Sequence, residues 1–191
     1  MNLARPDQAA NFVLTGNWSE GSAKEAGKYC RSHIAAQAQP YTHQLMAWQA
    51  LLGPGCQSVV VTSGTGSGKT ECFMVPVLSS IAQSKGDKAA ISAESSGIQA
   101  LFLYPLNALI QSQRERLRAW TGPFDGGIRF CLYNGNTPDK AKADEYRKAP
   151  NEVHDRTVLR DCPPDILVTN PTMLEYMLVR AQDAPILEKS Q

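Results

Sequence analysis

Ten residues in one run carry the clearest chemistry in the chain: Thr62, Ser63, Gly64, Thr65, Gly66, Ser67, Gly68, Lys69, Thr70 and Glu71. Glycines at 66 and 68 free the backbone to turn several N–H groups toward one point, where a Cβ would obstruct a phosphate. A helix opening at Lys69 adds the positive end of its dipole. Lys69 is placed to neutralise β- and γ-phosphates, and the Thr70 hydroxyl to share Mg²⁺. The spacing and context are those of a phosphate-binding loop between a strand and a helix. The competing reading is a glycine-rich turn that binds nothing.

Three further groups could act with it. Tyr41-Thr42-His43-Gln44 lies 25 residues before Lys69. The Gln44 amide has both a donor and an acceptor and can read the N6 and N7 edge of adenine, with Tyr41 stacking beside it. A glutamine in a first helical turn is also ordinary, and His43 reads as an exposed helix residue. Tyr104-Pro105-Leu106-Asn107-Ala108-Leu109 ends one strand, and Thr169-Asn170-Pro171-Thr172-Met173-Leu174-Glu175 ends another. Ligands of open α/β sheets gather at the carboxyl ends of strands. Pro105, Asn107, Thr169, Asn170 and Pro171 would put two helix N-termini on one sheet edge, able to hold consecutive phosphates of a strand. Good helix capping accounts for either motif taken alone.

The elements that must position these groups follow from pattern. Gln57–Thr62, with Val59-Val60-Val61, reads as a buried strand, and Lys69 to about Gln83 as a helix that Pro76 should bend or break. Lys85–Gly97 reads as a loop. Ile98–Tyr104, Ile128–Tyr133 and Ile166–Thr169 read as strands. Helices are expected over Ser22–Ala38, Gln44–Leu52 (capped by Thr42), Leu106–Trp120, Asp139–Lys148 and Thr172–Ala181. Met1–Trp18 reads as an irregular lead-in, so residues 1–40 form a lead-in and helix before a domain over 41–191. Strands alternating with helices give an α/β parallel sheet.

Composition narrows the function classes. The 191 residues suit one full-sized domain, and 42% hydrophobic residues suffice for a core. The net charge of +1 excludes a uniformly basic coat. A local excess lies around Arg114, Arg116, Arg118 and Arg129, for which a solvated helix face is the plain alternative. Five cysteines without a Cys-x-x-Cys pair disfavour a zinc ribbon or a disulfide framework and point to reduced thiols in a cytoplasmic protein. No apolar run is long enough to span a membrane.

The four motifs in this order resemble the first RecA-like lobe of superfamily 2 DEAD/DEAH-box helicases. Ser63 stands where the general loop pattern has glycine, and this superfamily also writes a small residue there. The wording of the last two motifs, with Tyr133-Asn134-Gly135-Asn136-Thr137-Pro138 between them, is similar to Lhr- and YprA-like bacterial helicases. The resemblance covers about Tyr41–Leu187. It implies a RecA-like P-loop NTPase fold and ATP and Mg²⁺ held at Tyr41, Gln44 and Ser63–Glu71. It also implies a DNA single strand or duplex–single-strand junction along Pro105, Asn107, Thr169, Asn170 and Pro171, and a second RecA-like lobe as partner. The implied activity is ATP-driven translocation along DNA, usually 3′ to 5′, in DNA repair or anti-phage defence. No Asp-Glu-Ala-His or related acidic box occurs. That absence leads to the expectation of a sheet incomplete at its C-terminal end, in a fragment that alone is inactive and weakly cooperative. It also sustains two alternatives, a non-catalytic nucleotide- or nucleic-acid-binding module and, less well matched to the motifs, a small-molecule P-loop kinase.

Overall fold

The computed structural model describes residues 40–55, 57–88, 97–124 and 127–190. The expected lead-in, the helix over Ser22–Ala38 and most of the loop before Gly97 lie outside the described residues. The chain divides into two compact units, Met1–Ile91 and Ser92–Gln191.

In the first unit two helices are described. Helix α1 spans Thr42–Leu52 and α2 spans Lys69–Lys88. The N-cap of α1 is Tyr41, not Thr42. Its backbone N–H donates to Gln44 Oε1 at 2.9 Å, which satisfies one of the donors a helix start leaves open. Helix α1 buries Gln44, Leu45, Ala47 and Trp48, and the Trp48 indole N–H donates to the Glu71 carbonyl at 2.8 Å. That bond ties α1 to the first turn of α2. Of the bend or break expected at Pro76, a break does not occur, and α2 runs through it and beyond Gln83. Proline removes one backbone donor, but Met74, Val75 and Leu78 around it are fully buried, and their burial outweighs one missing bond.

The strand expected over Gln57–Thr62 is also absent. Residues 57–64 form no ladder, and Val60 is 90% exposed. A β-branched run supplies propensity, but a strand exists only through bonds to a neighbour. The four strands described below are all in the second unit.

That sheet belongs to the second unit. Strands β1 (Ala100–Leu103), β2 (Phe130–Leu132), β3 (Glu152–Val153) and β4 (Ile166–Thr169) lie in the order β1-β4-β2-β3, with every pairing parallel. Central β4, Ile-Leu-Val-Thr, is buried along its whole length, as a parallel strand covered on both faces must be. Leu167 and Cys131 pair in register and share one face with Tyr133, Val153, Leu159, Met173, Met177 and Ile186 in a single core cluster. Burial pushes the Cys131 thiol far above its usual range, with Glu152 and Asp155 adding to it, so this cysteine stays a neutral thiol. Strand β1 is an edge among the described residues, with Leu101 and Leu103 partly exposed.

Helices α3 (Asn107–Ser112), α4 (Arg114–Thr121), α5 (Ala143–Lys148), α6 (Arg156–Asp161), α7 (Pro171–Val179) and α8 (Ala184–Glu188) complete the unit. The single helix expected over Leu106–Trp120 is two, divided at Gln113, whose N–H turns back to the Ile110 carbonyl at 3.1 Å. The helix expected from Asp139 starts only at Ala143, because the Asp155 carboxylate holds the Ala141 N–H at 3.0 Å outside any helix. Asp155 also caps α6 by accepting from Val158 N–H at 2.8 Å. Burial alone would raise its pKa. These bonds and one from the Tyr146 hydroxyl outweigh burial and hold the carboxyl below its ordinary range. The pair β3 and α6 was not expected, since a two-residue strand containing a glutamate carries no readable period.

Among the described residues no helix is long and apolar enough to cross a membrane.

Candidate functional site

The glycine-rich loop is built as its residues demand. Gly66 and Gly68 have φ of 72° and 74°, in the left-handed region that favours glycine. A Cβ on Gly64 or Gly66 would meet nothing within 4 Å, so both positions face open space. A Cβ on Gly68 would crowd the Gln44 amide and make it shift, so substitution there disturbs the Gln44 contact as well as the left-handed backbone. The Lys69 ammonium donates to the carbonyls of Ser63 at 2.8 Å and Gly64 at 2.6 Å. Among the described residues no carboxylate pairs with it. Ser63 and Ser67 hydroxyls meet at 2.5 Å and close the loop from inside. Thr65 sits at the exposed tip, and Thr70 and Glu71 lie in the first turn of α2.

Helix α1 grips this loop at two points. Gln44 Nε2 donates to the Gly68 carbonyl at 2.9 Å. His43 Nε2 lies 3.0 Å from the Ser67 carbonyl, and its ring stacks on Tyr41 with centroids 5.5 Å apart and planes 11° from parallel. His43, read from the sequence as an ordinary exposed residue, is thus part of the loop's support. A histidine 24 residues from its partner leaves no signal in a linear pattern. Gly68→Ala should remove the Gln44 bond and force a left-handed alanine, a strain of about 1–2 kcal/mol. The expected result is lost affinity for nucleotide with a small fall in thermal midpoint, read by calorimetry. An unchanged affinity would show that loop shape does not matter.

The other motifs lie in the second unit, and parallel pairing places them on one edge. Leu103 is in register with Thr169, and Tyr104 N–H donates to the Thr169 carbonyl at 2.9 Å. Pro105 and Leu106 are exposed and lead into α3, whose first residue is Asn107. Asn170 caps α7, accepting from Met173 N–H at 2.7 Å, with exposed Pro171 in the first turn. Its amide donates to Asn107 Oδ1 at 2.8 Å, so one bond joins the two motifs. Thr169 departs from its expected place. It is fully buried, and its hydroxyl donates to the Tyr133 carbonyl at 2.7 Å. Its side chain is thus spent on positioning the sheet edge.

The arginines of the basic stretch are largely engaged in the fold. Arg118 Nε donates to Glu152 Oε2 at 2.7 Å, and Arg114 Nε lies 3.0 Å from Glu152 Oε1 without hydrogen-bond alignment. Arg129 reaches the carbonyls of Cys162 and Pro163 at 3.3 and 3.0 Å. The local positive excess is therefore partly spent on internal partners, because Glu152 arrives on a strand no sequence pattern announced.

Residues 41–190 match the family described as DEAD/DEAH box helicase. The chain is similar to the Druantia protein DruE of Escherichia coli (strain UMEA 4076-1), at 35% identity over 115 residues, 55% of this chain and 6% of that protein. It is similar to the uncharacterized ATP-dependent helicase YprA of Bacillus subtilis (strain 168), at 33% identity over 139 residues, 73% of this chain and 15% of that protein. Among solved structures, the crystal structure of DUF1998 helicase MrfA bound to DNA superposes with a TM-score of 0.58 at 25% identity, covering 91% of this chain and 20% of that one. The chain thus spans a fifth or less of the length of these relatives. The fold they share is a parallel sheet with flanking helices of the RecA-like P-loop type.

Proposed function

Because the chain belongs to the DEAD/DEAH box helicase family, we propose that residues 41–191 form the ATP-binding part of a first RecA-like lobe, with residues 1–40 as its lead-in. The lobe couples ATP hydrolysis to movement along a DNA strand and works against a second RecA-like lobe. DNA repair or anti-phage defence is the setting its resemblance to Lhr- and YprA-like helicases favours. The observation that carries the reading is the Lys69 ammonium, held by two loop carbonyls in the exposed glycine-rich loop and, among the described residues, without a carboxylate partner.

The loop fits a triphosphate. Its glycines leave room, and Lys69 can exchange two carbonyls for phosphate oxygens without losing an ion pair to any described residue. Thr70, in the first turn of α2 beside Lys69, would share Mg²⁺ with the phosphates through its hydroxyl. Bound ATP with Mg²⁺ supplies a phosphoanhydride whose cleavage releases the driving free energy. The residues of this chain bind and orient. The loop N–H groups and the α2 dipole hold negative charge, and Lys69 neutralises it. Gln44 spends one lone pair on Tyr41 N–H and one N–H on Gly68, which leaves one acceptor and one donor for an adenine edge. On the second unit, the joined starts of α3 and α7 favour backbone phosphates over bases.

ATP hydrolysis should rise on addition of single-stranded DNA, prefer ATP to GTP and CTP, and lose its DNA stimulation steeply between 50 and 200 mM salt. The assay uses a protein that joins this segment to an acidic box and a second lobe. Tight nucleotide and strand binding with no turnover would favour the non-catalytic alternative. Equal use of all triphosphates would remove the role of Gln44.

A further inference from the structure

The glycine-rich loop does not by itself fix which way its Ser67–Gly68 peptide faces. Gly68 has φ of 74°, and glycine takes either sign of φ at little cost. The plane can therefore turn over unless something outside the loop holds it. The hold comes from α1. His43 Nε2 lies 3.0 Å from the Ser67 carbonyl. A carbonyl only accepts, so the bond requires a proton on Nε2.

Peptide geometry sets the consequence. The described peptide bonds are all trans, and in a planar trans peptide N–H and C=O point to opposite sides. With the Ser67 carbonyl drawn to His43, the Gly68 N–H faces away from α1. Among the described residues no loop carbonyl takes that N–H. Gln44 treats the next peptide alike. Its Nε2 donates to the Gly68 carbonyl at 2.9 Å, which leaves the Lys69 N–H on the far side as well. Successive N–H groups held to one side, beside residues of left-handed φ, make an anion-binding concavity. The His43 ring is itself held. It is half-buried and stacks on Tyr41 with planes 11° from parallel, and Tyr41 N–H donates to Gln44 Oε1 at 2.9 Å.

We infer that His43 is a positioning residue for the phosphates of the nucleotide. Its Nε2–H turns the Gly68 N–H into the concavity, and the stack on Tyr41 sets the ring from which it does so. The inference rests on the nucleotide-binding reading above and adds to it a residue that need not touch the ligand. A tie between α1 and the loop that served stability alone would leave ligand affinity unchanged wherever the fold is intact.

The test is calorimetric titration of the full chain with Mg²⁺–ATP and with Mg²⁺–tripolyphosphate, which carries the phosphates without a base. His43→Phe keeps a ring for Tyr41 and removes the donor. It should weaken both ligands by the same roughly three- to tenfold, the worth of one hydrogen bond. His43→Gln restores an N–H donor at similar reach and should bring tripolyphosphate to within about twofold of the unsubstituted chain. The Gly68 amide resonance should move on adding tripolyphosphate to the unsubstituted chain and to His43→Gln, and move less in His43→Phe. Undiminished tripolyphosphate affinity in His43→Phe overturns the inference and leaves the nucleotide-binding reading standing. Equal weakness of the two variants overturns it too, because the ring and not the donor would then matter. If His43→Phe fails to fold, the unsubstituted chain decides: a Gly68 amide that stays still while tripolyphosphate binds overturns the inference. Binding of neither ligand by the unsubstituted chain overturns the nucleotide-binding reading and the inference with it.

Discussion

Lys69→Ala is expected to abolish ATP turnover in a protein carrying the whole motor and to weaken ATP–Mg²⁺ binding to this chain. A charge-assisted hydrogen bond is worth about 1.5–3 kcal/mol, so affinity should fall roughly 10- to 150-fold. The physical reason is that the loop's remaining donors are neutral N–H groups, and only Lys69 brings a full charge to the phosphates. The fold should not suffer. Among the described residues Lys69 bonds to the Ser63 and Gly64 carbonyls alone, both in the exposed loop. Calorimetric titration gives the affinity and a thermal scan the stability. Unchanged binding with an unchanged midpoint would overturn the phosphate-loop assignment. A large loss of stability would instead show that Lys69 holds the loop together.

Glu152→Gln should carry the largest stability effect. The carboxylate is 2% exposed and meets Arg118 at 2.7 Å, Arg114 at 3.0 Å and His154 Nδ1 at 3.8 Å. A glutamine amide keeps one acceptor but turns an N–H₂ toward guanidinium donors. Removing one partner from a buried charge group commonly costs about 3–5 kcal/mol. Arg114 and Arg118 are about a third exposed and can turn to water, which lowers the expected loss to about 2 kcal/mol. Urea denaturation measures it. In an Arg118→Met background the same change should cost about 1 kcal/mol less, since the two groups are coupled. A loss below about 0.5 kcal/mol would mean the cluster contributes little to the fold.

The difference between sequence and structure is clearest at particular residues. Strand β4 was legible to the residue, because an unbroken apolar run with a capping Asn170 and Pro171 after it has one local solution. The turn at Gly66 and Gly68 was legible for the same reason, since only glycine accepts those dihedrals at low strain. Val59-Val60-Val61 carries an equally strong β signal and forms no strand. Pairing is a property of two segments, and one segment's propensity cannot supply its neighbour.

By itself, then, the sequence determined the phosphate loop, the α/β alternation and the family, because each rests on residue types at short spacing where backbone sterics and local hydrogen bonds decide. Only the tertiary structure decided that His43 braces the loop, that Thr169 turns inward and that Asn170 joins Asn107. It alone decided that Arg114 and Arg118 converge on a buried Glu152. Those contacts join residues tens of positions apart, and which side chains meet there is fixed by strand order, register and helix direction, which no local pattern encodes.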